Sequence, residues 1–322
     1  MIDSFGRKID YVRLSVTDRC DLRCAYCMPS SHCDYEDRED WLSFDEIVRL
    51  GQIFVGLGVS RIRLTGGEPL VRARFSELAA QLGQIEGLLD LSVSTNGTQL
   101  SQQAAALKRA GVQRLNVSLD TLSREKFSAL CKRDALPDVL AGLEAARQCA
   151  FRLIKINMVW LPEINGDELE AMVDYCMARG FVLRLIENMP MGNAARQLGS
   201  ASLQPLIGQL RERFNLVDNV IAGGGPARYL ISPDHKFSLG FITPLSQHFC
   251  DTCNRVRISV SGTLHLCLGQ ENRVELLPMF RQGASDIEIA GAIRRAINQK
   301  PFKHDFCETP GKVIRIMAAT GG

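Results

Sequence analysis

The sequence predicts an α/β fold: a partial (β/α)6 barrel of the TIM type, with a C-terminal segment closing its open side. Short β-rich runs alternate with longer amphipathic segments, six such units are present, and the rhythm breaks after residue 190. Alternation of this kind gives right-handed βαβ units and a parallel sheet. Six units fall short of the eight that close a full barrel. A doubly wound sheet fits the same pattern.

Along the chain, strands are expected at 11–16 (YVRLSV), 60–65 (SRIRLT), 89–95 (LDLSVST), 113–119 (QRLNVSL), 153–160 (LIKINMVW) and 181–187 (FVLRLIE). Helices are expected near 43–57, 74–84, 99–110, 136–149 and 166–179. "SFDE" at 43–46 and "SREK" at 123–126 carry capping signals, and Gly58, Gly111 and Gly180 end helices before the next strand. "DYEDRED" at 34–40 reads as a solvated acidic loop and "MPMGNAARQLGS" from Met189 as a loop. A helix follows near 202–214. "AGGGPARY" at 222–229 lacks the lysine and following helix of a P-loop, so it reads as a turn before a strand. Short strands, a helix at 285–298 and a tail ending in Gly321 and Gly322 complete the chain. Residues 1–195 form the expected barrel part and 196–322 a second part.

The 322 residues can bury a large core without disulfide staples, and a net charge of +2 gives no global field that favours nucleic acid or an anionic membrane. No apolar run approaches the roughly 18 residues of a membrane span. The N-terminal stretch lacks the apolar region of a signal peptide. The expectation is a cytoplasmic chain with reduced thiols, whose eleven cysteines serve metal binding or catalysis more than disulfides.

Cys20, Cys24 and Cys27, in "CDLRCAYC", follow the first strand, on the barrel face where active sites form. Thiolates are soft ligands suited to zinc, copper(I) and iron–sulfur clusters. A [4Fe–4S] cluster usually takes four cysteines, so three leave one iron open to a small molecule. The competing interpretation is a zinc site completed by Cys33 or His32. The C-x3-C-x2-C spacing with Tyr26 before the last cysteine resembles the motif of the radical S-adenosylmethionine superfamily. "TGGEP" at 65–69, after the second strand, resembles that superfamily's glycine-rich motif. The resemblance implies that S-adenosylmethionine chelates the open iron, that Tyr26 helps pack its adenine, and that Gly66 and Gly67 admit its methionine end.

Cys250, Cys253 and Cys267 form a second set, C-x2-C-x13-C. Alone it suggests a zinc ribbon, with His248, His265 or Cys307 as fourth ligand. Beside the first set, a second open [4Fe–4S] cluster is the better expectation. Four expected strands also carry a cation between apolar neighbours: Arg13, Arg63, Lys155 and Arg184. Singly, each would reach out of a strand end or pair with a carboxylate such as Glu68 or Glu187. Repeated four times, they suggest a ring converging on a polyanion, and a triphosphate fits their geometry. Arg255 and Arg257, two apart, share one face of an extended segment.

Two three-cysteine sets and a terminal Gly-Gly resemble the GTP 3',8-cyclase family, which begins molybdenum cofactor synthesis, over essentially the whole chain. This resemblance implies two [4Fe–4S] clusters and S-adenosylmethionine as cofactors. It implies a GTP site lined by Arg13, Arg63, Ser94, Lys155, Arg184, Arg255 and Arg257. It places Ser118 and Met189 with Gly67 on S-adenosylmethionine, and gives Arg255, Arg257, Gly321 and Gly322 a part in catalysis. A 5'-deoxyadenosyl radical would take the ribose 3' hydrogen of GTP, and the carbon radical would attack guanine C8. Further implications are a reductant such as flavodoxin or ferredoxin, a downstream cyclic pyranopterin monophosphate synthase, and room for a homodimer. "MPSSHCDYED" after Cys27 departs from the family's usual sequence. Cys131, Cys149 and Cys176 read as ordinary buried small residues. The alternatives are a radical enzyme that modifies a peptide and a zinc-bearing binding protein.

Overall fold

The structure, a computed structural model, describes residues 1–29, 31–221, 225–306, 308 and 315–321, without the side chain of Ala194. Six strands lie side by side in chain order: β1 (Tyr11–Ser15), β2 (Arg61–Thr65), β3 (Asp90–Thr95), β4 (Arg114–Ser118), β5 (Leu153–Trp160) and β6 (Val182–Glu187). All five pairings between them are parallel.

Their period of two sorts the side chains into two faces. Val12, Ile62, Leu91, Leu115, Ile154 and Leu183 belong to the apolar face and are buried in one core. Arg13, Arg63, Ser92, Asn116, Lys155 and Arg184 belong to the opposite face, all buried except the half-buried Arg13. The helices Phe44–Gly56, Phe75–Gly83, Leu100–Arg109, Leu136–Gln148 and Leu169–Arg179 cover the apolar face with residues such as Leu50, Leu78, Leu107, Leu143 and Val173. Ser43 and Glu46 close a reciprocal capping box. Gly58, Gly111 and Gly180 stand in the left-handed conformation where helices were expected to end.

The C-terminal half extends this sheet at both ends. β7 (Val217–Asn219), β8 (Arg228–Ile231) and β9 (Ser238–Ile242) join through β9, which pairs in parallel with β6. β10 (Arg255–Ile258), β11 (Thr263–His265) and β12 (Arg273–Glu275) join through β10, parallel to β1. Residues from β1 through β6 and from β9, β10 and β11 nonetheless line one cavity, so the twelve-stranded sheet curls around it.

Two buried clamps hold the halves together. Glu187, at the end of β6, accepts from the N–H groups of Leu203, Leu245 and Ser246 at 3.0–3.1 Å. Arg7 donates to the carbonyls of Cys250, Pro301 and Phe302 and pairs with Asp3.

One expectation needs correction: the segment from Met189, expected as a loop, contains a short helix, Gly192–Gln197. The capping signal in "SREK" does start a helix, Arg124–Cys131, whose Ser123 side chain accepts from the Lys126 N–H. No helix among the described residues is long and apolar enough to cross a membrane.

Candidate active site

A cavity of about 290 Å³ runs along the polar face of the sheet to its C-terminal mouth. The loop after β1 brings Cys20, Cys24, Tyr26 and Cys27 to it, and the loop after β2 brings Gly66 and Gly67. The two glycines have a local reason. A Cβ on Gly66 would lie 2.3 Å from the Thr17 carbonyl oxygen, and one on Gly67 2.3 Å from that of Arg19. Both glycines therefore let the cysteine loop cross the end of β2, and both also line the cavity. Ser118 and Met189 also line the cavity.

The N-terminal thiols are disfavoured as free thiolates. Burial, then the charge of Cys24, pushes Cys27 up to about 12. Burial, then Glu68, raises Cys20. Metal ions supply the missing positive charge when they bind such a set, with release of protons. Tyr26 donates its hydroxyl to Asp120 at 2.7 Å, and Asp120 also accepts from the Val159 N–H. Burial pushes the Asp120 carboxyl up to about 6. No local signal in the sequence marks Asp120 as the partner of Tyr26.

Cys250, Cys253 and Cys267 line the same cavity. Burial opposes ionisation of Cys253, yet Arg255 and then Lys300 hold its thiol below the ordinary value. Among the described residues no three His, Cys, Asp or Glu side chains converge closely enough to share one metal ion. Both sets of three thiols line the same cavity. Cys307, one candidate zinc ligand, lies outside the described residues, as does the 222–224 part of the glycine-rich turn.

The same cavity holds a patch of arginine. Arg257, Arg13 and Arg63 are in register across β10, β1 and β2, about 4.8 Å apart by strand spacing. Burial, then Arg257 and Arg63, holds Arg13 well below its ordinary value. Arg63, Arg184, Arg255 and Ser94 line the same space. Among the described residues, four carboxylates of this region are engaged elsewhere. Glu68 accepts from Leu70, Thr95 and Asn96, and Glu187 from the backbone groups above. Asp10 pairs with Arg61, and Asp90 with Arg114. The Nε atoms of Arg13, Arg184 and Arg255 and the Tyr11 hydroxyl are buried with no hydrogen-bond partner among the described residues. Buried polar groups left open in one cavity mark a place for a ligand that supplies acceptors.

Lys155 departs from the expected ring. It is buried away from the cavity lining, and its ammonium donates to the Tyr229 hydroxyl at 2.7 Å. Burial, then Arg184, Arg114 and Arg63, pulls it down to about 6. Tyr229 reaches it from β8, and Tyr11, His265 and Lys300 are further lining or supporting groups that the sequence patterns did not single out for substrate. Burial, then Arg315, lowers His265 to about 3 and keeps it neutral.

The tail enters the same site. Met317 lines the cavity, and the Arg257 guanidinium donates to the Gly321 carbonyl at 2.5 Å. Gly321 has φ +72°, and a Cβ there would stand 2.3 Å from Thr65 Cγ2. Only glycine fits this position without strain. Gly322 lies outside the described residues.

Residues 14–176 match the Radical SAM superfamily, and residues 181–306 match the family described as Molybdenum Cofactor Synthesis C. GTP 3',8-cyclase of Caulobacter vibrioides is 46% identical over 100% of this chain and 94% of its own. GTP 3',8-cyclase 2 of Pseudomonas aeruginosa is 44% identical over 100% of this chain and 98% of its own. The crystal structure of Streptococcus suis SuiB bound to S-adenosylmethionine aligns with a TM-score of 0.58, over 89% of this chain and 68% of that one. At 14% identity that likeness is one of fold.

Proposed function

This chain belongs to the GTP 3',8-cyclase family of the radical S-adenosylmethionine superfamily, and from that premise we propose that it converts GTP to 3',8-cyclo-7,8-dihydro-GTP in the first step of molybdenum cofactor biosynthesis. The observation that carries this reading is a row of arginines, without carboxylate partners among the described residues, in one cavity with two three-thiol sets.

Cys20, Cys24 and Cys27 would hold a [4Fe–4S] cluster with one iron left for S-adenosylmethionine, beside Tyr26, Gly66, Gly67, Ser118 and Met189. Cys250, Cys253 and Cys267 would hold a second cluster with one iron left for the guanine. Loaded in this way, the site gains the one-electron chemistry that takes a hydrogen from the substrate ribose.

The chain's own residues bind and orient. Arg13, Arg63 and Arg184, with Ser94, would grip the triphosphate in forked hydrogen bonds. Arg255 and Arg257, on β10 at the end of the row and close in sequence to Cys253, would hold the nucleoside end. Gly321 fixes the Arg257 guanidinium by accepting one of its N–H groups. Lys155, behind this layer on Tyr229, would gain charge once phosphate oxygens arrive. The parts 1–195 and 196–322 would then supply one thiol set each. A flavodoxin or ferredoxin would supply electrons, and cyclic pyranopterin monophosphate synthase would take the product.

The test is anaerobic reconstitution with iron and sulfide, then incubation with S-adenosylmethionine, dithionite and GTP. Cyclised nucleotide and 5'-deoxyadenosine should appear together. Cleavage of S-adenosylmethionine that is indifferent to GTP would sink the proposal.

A further inference from the structure

We propose that Cys24 and Cys131 form a disulfide in the cluster-free chain, and that this bond bars the N-terminal cluster until a dithiol reduces it. The inference rests on the reading of Cys20, Cys24 and Cys27 as cluster ligands. Cys131 was expected to be an ordinary buried residue. It is buried, at the end of the helix Arg124–Cys131, but its sulfur lies 3.5 Å from that of Cys24.

The backbone holds the pair together. The Arg23 N–H donates to the Cys131 carbonyl at 2.9 Å, and the Ala25 N–H donates to the Leu130 carbonyl at 3.0 Å. These bonds flank Cys24 and fix its segment against the helix end. The sulfurs need to close to about 2.0 Å for a disulfide, a movement of side chains within a fixed frame. The Cys20 sulfur is occupied differently, accepting from the Leu22 N–H at 3.4 Å and from Asn96 Nδ2 at 3.8 Å.

Cys24 lines the cavity, so a small molecule can reach it, whereas Cys131 is reached through Cys24. The oxidant class is a low-molecular-weight disulfide. The Cys24 sulfur attacks it, its S–S bond breaks, and one small thiol leaves. Cys131 then attacks the Cys24 sulfur of the mixed disulfide and releases the second small thiol. The two cysteines lose two electrons, the small disulfide gains them, and the two cysteine protons end on the released thiols. A ligated Cys24 cannot enter this exchange, so bound cluster and disulfide exclude each other.

The test starts from full-length chain stripped of iron anaerobically by a chelator and treated with oxidised glutathione. Digestion without reductant should yield a joined pair of peptides bearing Cys24 and Cys131, two hydrogens lighter than the separate peptides. Treated wild type should then take up about four irons fewer than untreated chain, and a dithiol should restore them. Treated Cys131→Ser lacks the thiol that releases the second glutathione, so its Cys24 should be recovered as the glutathione adduct. In wild type, recovery of Cys24 as that adduct, or joined to Cys20 or Cys27, overturns the inference. So does a treated wild type that takes up its full iron without the dithiol. Failure of untreated, reduced chain to load iron at Cys20, Cys24 and Cys27 would instead sink the ligand reading, while the peptide map still decides the disulfide.

Discussion

Replacing Gly321 with alanine separates a seated tail from a frayed one. The new Cβ would stand 2.3 Å from Thr65 Cγ2, and such overpacking costs about 1–3 kcal/mol. The left-handed backbone at φ +72° adds about 1–2 kcal/mol for a residue with a Cβ. Together these come to about 2–5 kcal/mol. The bond from Arg257 to the Gly321 carbonyl, charge-assisted, contributes about 1.5–3 kcal/mol. The penalty therefore rivals the main polar contact of the tail. At about 1.4 kcal/mol per decade, the seated population should fall by roughly 30-fold to several thousand-fold. Hydrogen exchange at 317–321 reads this directly, and product coupled to 5'-deoxyadenosine reads its consequence. Iron content and S-adenosylmethionine binding should stay as they are. Thr65→Ser in the same chain removes the obstructing methyl and should recover the overpacking part, leaving the backbone part. An alanine variant with full protection and full turnover would show that the tail is not held by this fit.

Two three-thiol sites predict about eight irons per chain when both hold [4Fe–4S]; replacing Cys20, Cys24 and Cys27 together should remove half, and zinc in the C-terminal site of anaerobic protein would defeat the two-cluster reading. Arg184→Ala should weaken GTP much more than guanosine, because the phosphates are its proposed partners, and equal losses would count against a triphosphate site. Lys155 sits at about 6 in the free site through burial and its cationic neighbours, and a nearby triphosphate would raise that value. Its contribution to GTP affinity is thus full below pH 6 and falls by up to about tenfold per pH unit above it, until the raised value is passed. Calorimetry near pH 7.5 in buffers of different ionisation enthalpy should show proton uptake on GTP binding that Lys155→Met lacks, and identical uptake in both would remove Lys155 from the site.

The barrel was legible because β1 to β6 repeat one local pattern. In "VRL", "IRL", "IKI" and "LRL" the cation and its apolar neighbours point to opposite faces, whatever the rest of the chain does. The thiol sets were legible from spacing alone. What escaped depends on distant parts of the chain. Tyr229 meets Lys155 from 74 residues away, so the spacing that placed Lys155 in the ring could not show what its ammonium touches. Asp120 behind Tyr26 and Lys300 behind Cys253 are likewise contacts between separate elements. The helix Arg124–Cys131 is only two turns long, too short for a clear period, and its single visible trace was the cap at Ser123. β7, β11 and β12 are three residues each, below the length at which alternation can be read.

The placement of β9 and β10 at opposite ends of the six-stranded sheet bears on how the molecule is made. During synthesis β1 and β6 emerge first, each with one side unpaired, and unpaired strand sides invite association between chains. β6 is covered only when β9 appears, about fifty residues later, and β1 waits for β10, more than 240 residues after it. Pairing over such a separation is slow to find. The first half of the chain is therefore exposed to aggregation until the last third has left the ribosome, and the two halves are poor candidates for production as separate pieces.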